Sequence, residues 1–239
     1  MLTQIGMNAK KAERTLMTAP AALRDKALGE IADALRKKKD YIIEENKKDI
    51  ERAKENGMSS SMLDRLSLDE GRIEGIARAV ESIISLPDPL GRVLSGEIRP
   101  NGMKIEKVSV PLGVIAVIFE ARPNVTVDAA ALCLKSGNTV ILRGGKEAIN
   151  SNKAMALVMR EALGKAGLPS DCIQLVEDIS RESATALMKM NAYVDVLIPR
   201  GGAGLIRACV ENSTVPVIET GAGNCHVYVE KTADLEMAA

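Results

Sequence analysis

Apolar positions fall into two different rhythms along the chain. Between about Lys10 and Ser85 they recur at helical spacing. Leu23, Ala27, Ile31, Ala34 and Leu35 share one face, and Ile73, Ile76, Ala77, Val80 and Ile83 share another. The intervening positions are heavily charged, which predicts helices packed on one side and wet on the other. The run KKKD at Lys37–Asp40 reads as such a solvated face. SSSMLDRL offers helix N-cap candidates, and the two prolines of LPDPLG end the helical zone.

From Val108 the rhythm changes to short apolar runs alternating with helical segments. VIAVIF (Val114–Phe119) and TVILRG (Thr139–Gly144) read as buried parallel strands, joined by a helix over DAAALCLKSGN. A long helix, NSNKAMALVMREALGKAGLP, should stop at Gly167 and Pro169. CIQLVE, the helix SRESATALMKM, YVDVLIPRGG, the helix AGLIRACVENS and VPVIETG follow. Strand–helix–strand repetition predicts an α/β fold with a doubly wound parallel sheet, Rossmann-type, behind an N-terminal helical layer. The expected division is a helical segment, 1–107, packing on a nucleotide-binding domain, 108–239.

In such a sheet ligands sit beyond the carboxyl ends of the strands. Four predicted strands end in glycine, charge or amide: EARPN with Glu120, Arg122 and Asn124; Arg143, Gly144, Gly145 and Lys146; Arg200, Gly201 and Gly202; and Glu219, Thr220 and Gly221. Glycine lets backbone N–H groups approach a ligand, and N–H groups at helix starts favour phosphate. The usual G-x-G-x-x-G fingerprint is absent. One glycine loop is explained by an ordinary helix cap, but four together point to a nucleotide site. Arg122, beyond a buried strand, is a candidate substrate anchor, with Asn124 a candidate hydrogen-bond donor beside it; pairing of Arg122 with Glu120 or another local acid is the alternative.

Composition narrows the classes. The 239 residues are 46% hydrophobic, enough for a substantial core. With 32 basic and 32 acidic residues, no global charge points to nucleic acid or to an anionic membrane surface. No apolar run has the length of a membrane span, and the first residues lack a secretory pattern. A single histidine, His226, excludes a metal centre built on several imidazoles, and the scattered Cys133, Cys172, Cys209 and Cys225 lack metal-ligand spacing. They read as reduced, buried small residues of a cytoplasmic protein.

The segment VSVPLGVIAVIFEARPNVTVDAAALCLKSGNTVILRGGKEA, together with VDVLIPRGGAGLI and PVIETGAGNCHVYVEKTADLEMA, resembles the γ-glutamyl phosphate reductase family of the aldehyde dehydrogenase superfamily. The resemblance covers essentially the whole chain. It implies NADPH-dependent reduction of L-glutamate 5-phosphate to L-glutamate 5-semialdehyde with release of phosphate, the second step of proline biosynthesis. It further implies a functional link to glutamate 5-kinase and a homo-oligomer for the full-length protein. By position, Arg143, Gly144, Gly145 and Lys146 match the loop around the adenosine ribose, where a cation suits the 2′-phosphate of NADP. Arg200, Gly201 and Gly202 match the turn under the pyrophosphate, with Thr220 and Gly221 beside the cofactor. Glu219 matches the superfamily's active-site glutamate. An acyl phosphate substrate carries its own leaving group, so this glutamate is expected to orient cofactor or nucleophile rather than activate water. The family's nucleophilic cysteine would follow residue 239, so this chain is expected to hold the cofactor-binding part and to be inactive alone. The alternatives are a stand-alone nucleotide-binding module and an aldehyde dehydrogenase of another substrate class.

Overall fold

The structure, a computed structural model, describes residues 2–219, 221 and 225–238. Five helices come first: α1 (Leu2–Leu16), α2 (Ala21–Lys37), α3 (Lys39–Glu55), α4 (Ser60–Leu66) and α5 (Glu70–Ile84). The apolar stripes read from the sequence face inward. Ala27, Ile31 and Leu35 of α2 are buried, as are Ile73, Ile76, Ala77 and Val80 of α5. The Asp69 carboxylate caps α5 by accepting the Arg72 backbone N–H at 2.7 Å.

The sheet contains β3 (Val114–Phe119), β4 (Thr139–Arg143), β5 (Ile173–Leu175) and β6 (Val196–Arg200) in the order β5-β4-β3-β6, and every pair is parallel. All six residues of β3 are buried, as a strand covered on both faces requires. Its alternate residues enter two cores. Ile115, Val117 and Phe119 join the layer that holds α2, α5, α6 (Asn124–Lys135) and α7 (Ile149–Ala166). Val114, Ala116 and Ile118 face α1, α8 (Arg181–Leu187) and α9 (Ala203–Asn212). Helices thus cover both faces, and the sheet is doubly wound. The chain moves from β3 outward through β4 to β5, then returns to the other side of β3 as β6. The order therefore reverses between β3 and β6.

Helix α7 ends where expected, with Gly167 at φ +97°, a left-handed conformation that glycine adopts without a Cβ clash. Other elements differ from the sequence reading. Helix α6 begins at Asn124, four residues before the expected Asp128, because Pro123 is already in helical conformation at its N-cap. An antiparallel hairpin, β1 (Val93–Ile98) with β2 (Lys104–Val108), precedes the sheet with every residue exposed. VPVIETG forms one parallel bridge, Leu197 with Val217, rather than a full strand. Pro216 contributes no N–H to a ladder. A last turn, α10, spans Leu235–Ala238.

Candidate functional site

The β3 and β6 ends lie side by side, with Phe119 paired to Arg200 in the register. Beyond them opens a cavity of about 510 Å³ whose walls include Glu120, Arg122, Arg200, Gly201 and Gly202. The sequence had placed these residues in two separate strand-end loops. The sheet reversal makes them one site.

Gly201 has a steric reason to be glycine. A Cβ there would lie 2.6 Å from Glu120 Cδ and 2.8 Å from Leu205 Cδ2. Gly202 is the N-cap of α9, and its N–H donates to Glu120 Oε2 at 3.1 Å. A carboxylate oxygen thus rests on the unsatisfied N–H end of a ten-residue helix, where anions are favoured. Arg65, from α4, joins Arg122 and Arg200 along the cavity wall. Among the described residues none of these three guanidinium groups has an acidic oxygen within ion-pair distance, so the pairing of Arg122 with Glu120 does not form.

Arg143 ends β4, and its Nη2 donates to the carbonyls of Ile179 (2.8 Å) and Ser180 (2.9 Å), so the guanidinium braces the loop ahead of α8. Burial pushes its pKa below the ordinary arginine value, opposed by Asp178 and Glu147. Gly144 lies against Asn152 and the Phe119 ring, which leaves no room for a Cβ. At Gly145 a Cβ would meet Glu147 Oε2 at 2.5 Å. Lys146 is exposed and opens a short 3₁₀ turn. It lines a second cavity, about 630 Å³, with Arg52, Asn56, Met58, Glu147 and Ile179. Glu219 is exposed and lines neither cavity, and a Cβ added at Gly221 would meet none of the described residues within 4 Å. Thr220 lies outside the described residues.

Asn124 is the first residue of α6, and its Nδ2 donates to Asp128 Oδ2 at 2.8 Å. One amide hydrogen is therefore committed within the helix. Burial raises the Asp128 pKa above the usual aspartate value, opposed by the Asn124 hydrogen bond and the Arg200 charge. Neither Asp128 nor Arg65 was singled out in the sequence. Asp128 stands four residues after Asn124, a spacing that pairs side chains on a helix, but only once the helix is known to begin there. Arg65 has no local signal at all.

The family model for the aldehyde dehydrogenase family matches residues 3–239. The chain is 57% identical over 232 residues to a γ-glutamyl phosphate reductase of Clostridium perfringens, covering 97% of this chain and 56% of that protein. It is similar to the crystal structure of γ-glutamyl phosphate reductase from Thermotoga maritima, with a TM-score of 0.92 and 41% identity over 99% of this chain and 57% of that one. The enzyme of the same name from Saccharomyces cerevisiae superposes with a TM-score of 0.83 at 35% identity, over 90% of this chain and 55% of that one. An acetylating aldehyde dehydrogenase from Geobacillus thermoglucosidasius shares the fold at 20% identity and a TM-score of 0.70, over 93% of this chain and 46% of that one. The chain spans a little over half the length of the curated relatives it matches.

Proposed function

Because the chain belongs to the aldehyde dehydrogenase family, we propose that it is the cofactor-binding part of an NADPH-dependent reductase. That reductase converts L-glutamate 5-phosphate to L-glutamate 5-semialdehyde and releases phosphate, within proline biosynthesis. The relatives at 52–57% identity carrying the name γ-glutamyl phosphate reductase support the substrate class. The proposal retains a helical segment, 1–107, packed on a cofactor domain, 108–239, with a cytoplasmic site of action. It also retains a homo-oligomeric full-length protein and a functional link to glutamate 5-kinase.

The observation that carries the cofactor reading is the Glu120 carboxylate on the Gly202 N–H beside the cramped Gly201. That contact supports a turn suited to an anionic oxygen at hydrogen-bond distance. A pyrophosphate would displace the Glu120 carboxylate from that N–H, with Gly201 and Gly202 supplying close backbone, Arg200 supplying charge, and Gly221 and Thr220 assigned to the same cofactor. Lys146 would meet the 2′-phosphate, Gly144 and Gly145 would keep the ribose loop close, and Arg143 would tie that loop to the Ile179–Ser180 segment. When bound, the nicotinamide supplies the hydride. Arg122 would anchor an anionic group of the substrate. Asn124, with one hydrogen held by Asp128, has the other to donate toward a developing oxyanion. Glu219 would orient the reacting groups once the remainder of the active site is present.

Equilibrium titration of this chain with NADPH and NADH tests the proposal. NADPH should bind about one to two orders of magnitude more tightly, the scale of one charge-assisted contact to phosphate. Lys146→Glu should narrow or reverse that preference. Equal affinity of the unmutated chain for both cofactors overturns the NADP assignment.

A further inference from the structure

Next to the crevice lies a third cavity, about 440 Å³, between the helical layer and the start of α6. One wall comes from the α4–α5 region with Arg65, Arg72 and Ile76; the other carries Arg122, Asn124 and Asp128. Arg65 and Arg122 also line the larger cavity at the β3–β6 reversal, so the two spaces share a wall.

Most of the polar groups here are already spent. Arg72 donates to Asp64 Oδ1 at 2.6 Å, to Ser67 Oγ at 2.6 Å and to the Ser67 carbonyl at 2.9 Å. That neutralises Asp64, the other acid on this wall. What remains, among the described residues, is two guanidinium groups without an acidic partner, Arg65 and Arg122, and one carboxyl, Asp128, that receives a hydrogen bond from Asn124 and feels the Arg200 charge but forms no ion pair. Ile76 and Ala79 add apolar lining. Free cations and one free acid lining a small, partly apolar pocket are complementary to a zwitterion on a short methylene chain.

We infer that this cavity is the subsite for the α-amino-acid head of the substrate, with Arg65 and Arg122 receiving the α-carboxylate and Asp128 the α-ammonium group. The methylenes lie along Ile76, and the reacting acyl end points past Asn124 toward the wall shared with the β3–β6 crevice. This deepens the proposed function by assigning the residues that would distinguish an amino-acid substrate from a plain aldehyde. Asp128 accepts the ammonium on the lone pairs that Asn124 leaves open. Arg65 comes from the helical layer, so the layer contributes directly to substrate choice.

The test is a chemical-shift titration of this chain with L-glutamate, with glutarate, which lacks the ammonium group, and with 4-aminobutyrate, which lacks the α-carboxylate. L-Glutamate should bind about tenfold or more tightly than either analogue, the scale of one charge-assisted hydrogen bond. Arg65→Gln should weaken L-glutamate about tenfold while Arg65→Lys retains part of the affinity. Asp128→Asn should weaken L-glutamate and abolish its preference over glutarate, without weakening glutarate itself, since a negative charge beside a dianion has been removed. Arg65 is exposed, so its variants test the site even where Asp128→Asn proves unstable. Equal binding of all three probes, or affinity unmoved by Arg65→Gln, overturns the subsite. NADPH titration of the same samples separates the two readings. Intact cofactor binding with no amino-acid site removes the subsite alone, whereas lost NADPH binding by the unmutated chain removes the cofactor reading on which it rests.

Discussion

Asp128 and Asn124 face each other one helical turn apart, and the carboxyl is half-buried. Its folded-state pKa is raised, chiefly by burial. Between the unfolded aspartate value, about 4, and the raised folded value, the native state holds more protons than the unfolded chain. Stability therefore falls as pH rises through that window. Asp128→Asn removes this dependence, so the variant should gain on the unmutated chain in melting temperature as pH climbs from about 4 to neutrality. A difference that stays constant with pH contradicts the assignment. The thiols give an independent residue-scale check. Burial pushes Cys133 and Cys172 up to about 12 and raises Cys209, while Cys225 is exposed. Thiolate is the reacting form, so the folded chain should show one fast-reacting thiol, removed by Cys225→Ser, with the other three reacting only on unfolding. More than one fast thiol would mean that the cores open readily.

At the scale of elements, two interior helix glycines should respond in opposite directions to the same change. Alanine is favoured over glycine in a helix by about 1 kcal/mol. At Gly29 of α2 an added Cβ meets nothing within 4 Å, so Gly29→Ala should stabilise by about that amount. At Gly6 of α1 a Cβ would lie 2.6–2.8 Å from Tyr193 and Met190 side chains. Overpacking costs about 1–3 kcal/mol and outweighs the propensity gain, so Gly6→Ala should destabilise. Urea melts of both variants decide it; two variants shifted the same way would show that α1 does not dock as described. Similar physics explains what the sequence made legible. β3, β4 and α7 were readable because burial imposes an uninterrupted apolar run on a covered strand and a glycine on a left-handed cap. The β1–β2 hairpin was not, because strands that bury nothing leave no hydrophobic signature. VPVI looked like a strand but contains Pro216, and only one bridge forms. The strand-end glycines and Arg122 could be located because strand ends are local features. Arg65 could not, since the strand-end residues it lines the cavities with lie more than fifty positions away in the chain.

For the whole molecule, what joins the helical layer to the sheet is a buried polar network as well as a shared core. Asp49 of α3 accepts the Ser151 N–H at 2.8 Å and its hydroxyl at 2.7 Å on one oxygen, and the Asn150 N–H at 3.2 Å on the other. An acid of the layer thereby caps the first turn of α7, and its charge suits the positive end of that helix. Asn46 Nδ2 donates to Ser151 Oγ at 3.0 Å and to the Leu66 carbonyl at 2.9 Å, and its Oδ1 accepts the Leu68 N–H at 2.8 Å. Both residues are almost fully buried. Asp49→Ala leaves buried donors without a partner and removes a cap, at a cost of about 2–4 kcal/mol. Residues of α2 and α5 share one apolar cluster with β3, β4 and α7, so that loss should be felt on both sides of the proposed 107/108 division. Native-state hydrogen exchange reads this out. If the layer and sheet open as one unit, the slowest amides of α2 and of β4 lose equal protection in Asp49→Ala. If protection falls in α2 while β4 keeps its own, the segment 1–107 opens independently, and the helical layer is separable from a self-sufficient sheet domain.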